Sequence, residues 1–179
     1  MTLRLKNIAV VTTATALLLL IPFVAMRFNT GVNWTLSDFV IAGALIFTTG
    51  LVGMAVLSQQ NNLLYRLAGG LAVAAGFLSL WANLAVGIIG GGPNVANLMF
   101  AGVFLTVFIG SASARLQPQG MAKTMFAAAG VQFLVPVLAL LIGQSGPVDT
   151  EGMAANMIFG AMWAGSGWLF REASAMRTA

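Results

Sequence analysis

Apolar positions along the chain gather into six long runs separated by short polar turns, at residues 8–26, 36–57, 64–90, 95–114, 121–143 and 153–170. About 20 residues at 1.5 Å each cross the ~30 Å hydrocarbon core of a bilayer as a helix. The runs are too long for barrel strands and do not alternate polar with apolar. A helix also satisfies its own backbone groups in lipid, where water is absent. The pattern therefore predicts an all-α, polytopic membrane protein with six transmembrane helices, forming one transmembrane domain over residues 1–179.

The first run has the basic start of a signal peptide (Arg4, Lys6), but its end, Pro22-Phe-Val-Ala-Met26-Arg27, offers no small-x-small cleavage site. It reads as a true span.

Composition supports the bilayer as solvent. Hydrophobic types make up 59% of the chain and charged residues only 7%, against about 25% charged in a soluble domain. Such a chain cannot cover a water-facing surface, and it is too apolar for disorder. There is no His and no Cys. Disulfides, thiolate metal sites, iron–sulfur clusters and Ser–His nucleophiles are excluded. No cofactor and no metal site is expected.

The few charges set an orientation. Arg4, Lys6, Arg66, Arg115, Lys123, Arg171 and Arg177 fall on one side of a six-helix topology, and Arg27 alone falls on the other with Asp38, Asp149 and Glu151. By the positive-inside rule both termini are expected in the cytoplasm. The basic residues thus speak of orientation, and no nucleic-acid partner is expected.

The even-numbered runs start alike. Asp38-Phe-Val-Ile-Ala-Gly43-Ala, Asn97-Leu-Met-Phe-Ala-Gly102-Val and Asn156-Met-Ile-Phe-Gly160-Ala-Met begin 59 residues apart. A basic residue, Lys6, Arg66 or Lys123, leads each odd-numbered run. The spacing predicts three tandem helical hairpins of common orientation. Thr35-Leu-Ser-Asp38 and Asn94-Val-Ala-Asn97 both read as a helix cap with a polar partner three residues on. In the third copy Met153 stands at the cap position, leaving Asp149 or Thr150 to act. The alternative is that Asp38, Asn97 and Asn156 ring the non-cytoplasmic mouth of a pore.

No ionisable residue lies deep in any run, which speaks against a proton relay or voltage sensor. The deep polar groups are Asn83 and Gln132, with hydroxyls at Thr12, Thr13, Thr15, Thr48, Thr49, Ser79, Thr106 and Ser166. Hydroxyls can bond back to their own helix. Asn83 and Gln132 read as interhelical hydrogen bonds or as polar handles in a ligand pocket. Pro136, four residues after Gln132, removes the N–H that would bond its carbonyl. Trp81 and Trp163 read as deep packing residues or as a stacking surface for a pigment or quinone. Trp34, Tyr65, Trp168 and Phe170 suit an interfacial aromatic belt. Pairs such as Gly160/Ala164 and Ala161/Gly165 let helices approach closely. Gly90-Gly-Gly-Pro93 lacks the Lys-Ser/Thr of a phosphate loop and reads as a helix stop and turn.

The run Val32-Asn-Trp-Thr-Leu-Ser-Asp38-Phe-Val-Ile-Ala-Gly43-Ala-Leu, with Trp81-Ala-Asn83-Leu-Ala-Val-Gly-Ile-Ile-Gly90 and Asn97-Leu-Met, resembles small bacterial inner-membrane proteins. The resemblance implies a multi-pass protein of the bacterial inner membrane, and no activity follows from it. The expected function is non-catalytic: a subunit, a scaffold or a module binding lipid or a hydrophobic ligand. Membrane lipid, a second copy or a membrane-complex partner are the expected contacts. A channel or carrier for a small neutral solute is the alternative.

Overall fold

The computed structural model describes residues 5–28, 31–90, 92, 94–143 and 150–176. It is all-α, with six helices: α1 (Leu5–Ala25), α2 (Leu36–Leu57), α3 (Leu63–Ala85), α4 (Ala101–Ser113), α5 (Pro118–Leu141) and α6 (Thr150–Ala175). A 3-10 segment, Val95–Phe100, runs directly into α4. Five stretches are long and apolar enough to cross a membrane: α1, α2, α3, the 3-10 segment joined to α4, and α5. α6 is not among them. Its stripe of Gly152, Asn156, Phe159, Gly160, Trp163, Ser166, Gly167, Phe170 and Ala173 is buried. Those small and polar residues lower its mean hydropathy, and a helix sheathed by protein needs less of it than one facing lipid.

The chain divides into two compact units, Met1–Ser58 and Gln59–Ala179. In the first, α1 and α2 are antiparallel. A Cβ added to Gly43 would meet Leu19, and one added to Gly50 would press on Val11. Where the two helices connect, Phe39 stands edge-on to Phe23 (6.4 Å) and to Trp34 (5.3 Å), and the Arg27 guanidinium lies over the Phe23 ring at 5.4 Å. Only Val11 and Thr15 of α1 and Ala42 of α2 are buried.

In the second unit α3 packs on α6, α6 on α5, and α5 on α4. The consecutive helices α3 and α4 share only marginal packing, so the middle pair is not the self-packed hairpin that the repeat suggests. The reason lies in α6. Its glycines admit α5: the Phe133 ring fills the space where Gly160 would carry a Cβ, and the Phe126 ring does the same at Gly167. Both pairs step by seven residues, two helical turns, in opposite directions along the chain. On the α3 side, Trp163 covers Gly76 and Leu71 meets Gly165. α4 meets α5 through Gly110 against Thr124 and Gly102 against Val131.

Each of these contacts is antiparallel, so neighbours alternate in direction along the row α3, α6, α5, α4. One end of the unit therefore collects the starts of α3 and α5 and the ends of α4 and α6. Arg66, Lys123, Arg115 and Arg171 all lie at that end, all exposed. Glu151 begins α6 at the other.

α3 stops at Ala85, five residues before the run of apolar residues does. Gly87 has φ +72°, and a Cβ there would collide with the Gly92 carbonyl. The chain turns at that point although Ile88 and Ile89 remain apolar and buried. Gly91 and Pro93 of the expected turn, and Asp149 of the expected cap, lie outside the described residues, as do Arg4 and Arg177.

Candidate functional site

The three residues aligned by the 59-residue spacing occupy three different settings. Asp38 belongs to the first unit and completes a capping box on α2. It accepts from the Thr35 N–H at 2.7 Å, while its own N–H donates to the Thr35 hydroxyl at 3.4 Å. The Thr35 hydroxyl also lies 2.8 Å from the carboxylate. Two orphan N–H groups are thereby satisfied.

Asn97 does not pair with Asn94 as a second box. Asn94 caps the 3-10 segment by accepting from the Ala96 N–H at 2.9 Å. Asn97 reaches instead into the loop that follows α3. Its Oδ1 accepts from the N–H groups of Ile88 (3.1 Å) and Ile89 (2.9 Å), and its Nδ2 donates to the carbonyls of Ile89 (3.3 Å) and Gly92 (3.2 Å). Asn83 joins from α3, its Nδ2 donating to the Asn97 carbonyl at 3.4 Å. One amide side chain thus serves two N–H and two C=O groups that no helix satisfies. The side-chain amide of Asn or Gln carries two N–H donors on one atom and two acceptor lone pairs on another, which matches this demand.

Asn156 is buried in α6 and accepts from Gln132 Nε2 on α5 at 3.0 Å. Gln132 is 0% exposed and Asn156 3%. Trp163, 1% exposed, lies two turns further along the same face of α6. Trp81 is 36% exposed and tilts against Phe77 at 5.5 Å, so it is less enclosed by protein than Trp163. The structure brings Asn83 to Asn97 and Gln132 to Asn156.

The hydroxyls divide by helix. Thr12 donates to the Ile8 carbonyl (2.9 Å), Thr106 to Gly102 (2.7 Å) and Thr48 to Ala44, each on its own helix. Ser166 departs from that expectation: it crosses from α6 to the Ala68 carbonyl of α3 at 2.8 Å. The lone tyrosine, expected in an interfacial aromatic belt, lies at the start of α3. Tyr65 is wholly buried, and its hydroxyl donates to the Leu116 carbonyl in the α4–α5 turn at 2.8 Å.

Among the described residues, three buried side-chain atoms of the second unit have no hydrogen-bonding partner: Ser79 Oγ, Gln132 Oε1 and Trp163 Nε1. They lie on α3, α5 and α6 and comprise one hydroxyl, one acceptor and one donor. Leaving such atoms unmet costs about 1–3 kcal/mol each. All three groups are neutral. Among the described residues no three His, Cys, Asp or Glu gather as metal ligands. No known protein family, curated protein or solved structure matches the chain.

Proposed function

We propose that the chain is a non-catalytic integral protein of the bacterial inner membrane, crossing it six times with both termini in the cytoplasm, and that it acts as a lipid-binding structural subunit. The observation that carries this reading is the polarity of the second unit. Helices that alternate in direction gather four exposed cations at one end, the arrangement that positive-inside insertion of α3 to α6 requires. An even number of crossings then returns both chain termini to one side. α6 counts as a crossing in this reading because α3 and α5 shield its polar stripe. The use of interior polar groups supports a structural role: Thr12, Thr48 and Thr106 bond within their helices, and Tyr65, Ser166 and Asn97 bond backbone carbonyls elsewhere.

The chain contains no Cys, so single introduced cysteines report topology without background. In intact cells a membrane-impermeant maleimide is expected to label Asn33→Cys and Asn94→Cys and to spare Gln60→Cys and Gln117→Cys until the cells are opened. Equal labelling of Asn94→Cys and Gln117→Cys in intact cells rules out six crossings.

A second reading, a channel or carrier for a small neutral solute, is favoured by the three unpartnered polar atoms on α3, α5 and α6. It requires solute flux into liposomes above empty vesicles, and loss of that flux in Gln132→Leu.

A further inference from the structure

Tyr65, Leu116 and Phe170 form one small knot. The Tyr65 hydroxyl binds the Leu116 carbonyl at 2.8 Å, and its ring meets Phe170 edge-on at 5.1 Å and 74°. Tyr65 and Phe170 are each 0% exposed. The next residue after Tyr65 is Arg66, the residue before Leu116 is Arg115, and the next after Phe170 is Arg171. Consecutive Cα atoms are ~3.8 Å apart. Arg66 on α3, Arg115 in the α4–α5 turn and Arg171 on α6 are therefore each one residue away from this knot, and all three are exposed.

None of the three makes an ion pair among the described residues. Glu172, the one described carboxylate at this end of the unit, accepts from Trp168 Nε1 at 3.0 Å. The turn is also held in an unusual shape. Arg115 (φ 49°) and Leu116 (φ 56°) are consecutive non-glycine residues in the left-handed region, a conformation with a steric cost for such residues. The Tyr65 hydrogen bond fastens that turn to the start of α3.

We propose that Arg66, Arg115 and Arg171 bind the phosphate of an anionic phospholipid headgroup. Guanidinium groups match phosphate oxygens with paired N–H donors, and several together outcompete water where one does not. The surroundings favour a lipid over a free anion. Leu67 follows Arg66 at 50% exposed, and Trp168 stands one turn before Arg171 at 62% exposed. An acyl chain below the headgroup can cover both. The site deepens the lipid-binding reading and rests on it.

Native mass spectrometry of the full chain in mild detergent, titrated separately with phosphatidylglycerol, phosphatidylcholine and inorganic phosphate, tests the site. Phosphatidylglycerol is expected to be retained at least tenfold more strongly than phosphatidylcholine. Each arginine that contacts the lipid phosphate is expected to contribute about fivefold in affinity, the ~1 kcal/mol of a basic residue close to an anionic lipid. The triple variant Arg66→Gln, Arg115→Gln, Arg171→Gln is therefore expected to lose about a hundredfold. A control with the same charge loss, Lys6→Gln, Arg27→Gln, Lys123→Gln, is expected to lose less than fivefold. If the arginine triple does not fold, the three single variants carry the test, each losing about fivefold. Equal retention of the two lipids, an equal loss in the control triple, or inorganic phosphate binding as tightly as phosphatidylglycerol overturns the proposal. Extraction at alkaline pH separates the two levels. A chain that stays in the membrane without preferring phosphatidylglycerol removes this site alone, and a chain released as soluble protein removes the membrane reading with it.

Discussion

α1 and α2 in the first unit and α5 and α6 in the second are both antiparallel apolar pairs, but they are fastened differently. α1 meets α2 through aliphatic side chains, the tip of Leu19 over Gly43 and the branched Val11 over Gly50. α5 meets α6 through two aromatic rings seated at Gly160 and Gly167, with the amides of Gln132 and Asn156 bonded beside them. A lipid-facing pair has little hydrophobic driving force to associate, since the tails are as apolar as its side chains. Shape and interhelical hydrogen bonds must supply the specificity, and the second unit is rich in both.

The sharpest way to break that contrast is to fill the glycine notches. Gly160→Leu sets four extra carbons against the Phe133 ring between two packed helices. Overpacking typically costs 1–3 kcal/mol and occasionally more, and this variant is expected at about 3 kcal/mol or beyond, read as loss of cooperative thermal unfolding in detergent. Gly160→Ala is expected to cost about 1–2 kcal/mol, even after the ~1 kcal/mol that Ala gains over Gly in a helix. Gly43→Ala meets only Leu19 Cδ1 at 3.2 Å, an atom that can swing away, so it is expected within about 0.5 kcal/mol of the parent. Equal losses at Gly160 and Gly43 would erase the distinction between the units.

The next effect belongs to Asn97. Asn97→Ala strips two N–H and two C=O groups of the 88–92 loop of their partner. With part of the loop open to water, the cost is expected at about 2 kcal/mol, accompanied by fast hydrogen exchange at Ile88 and Ile89. Asn97→Asp separates the two polarities. It keeps an acceptor for the N–H pair but sets a second acceptor against the carbonyls of Ile89 and Gly92. It is therefore expected to retain protection at Ile88 and Ile89 yet remain less stable than the parent.

Asn97 also marks how far the chain can be read without coordinates. The bounds of α2 and the capping box of Thr35 and Asp38 were legible, because a cap is a local device with its partner three residues away. The roles of Asn97 and Asn156 were not, although both share the register of Asp38. Asn97 serves a loop whose path is set by Gly87 at φ +72°. Asn156 serves a helix 24 residues earlier, and period alone does not say which helices become neighbours. The order α3, α6, α5, α4 depends on rings entering notches, which is a matter of shape. The burial of Tyr65 is not legible either, because its acceptor, a carbonyl 51 residues on, leaves no trace in local pattern. The arginines were legible as isolated basic residues, but the contact of Tyr65 with Leu116 and Phe170, the neighbours of Arg115 and Arg171, was not.

The amide pair gives a smaller and more exacting effect. In a double-mutant cycle, Gln132→Leu and Asn156→Leu are each expected to destabilise, while the double variant recovers part of the loss. The coupling is expected in the range of about 0.6–1.7 kcal/mol found for membrane hydrogen bonds. Additive losses would mean that the bond contributes nothing specific to the seating of α5 on α6.

The smallest effect tests the first unit by its best-defined feature. The carboxylate of Asp38 holds the Thr35 N–H, and the Thr35 hydroxyl holds the Asp38 N–H in return. Asp38→Ala removes one arm and leaves the other. Both groups are exposed, so water replaces what is lost and the unfolding midpoint is expected to stay unchanged. What changes is local. The first turn of α2 should fray, read as faster hydrogen exchange over residues 35–39, while the second unit keeps its protection. Asp38→Asn, which retains an acceptor for the Thr35 N–H, should restore most of that protection. If Asp38→Ala instead lowers the midpoint as far as Gly160→Ala does, the carboxylate is supporting more than its own helix end. The first unit would then be tied together by polar contacts after all, and the contrast with the second would have to be redrawn around charge instead of shape.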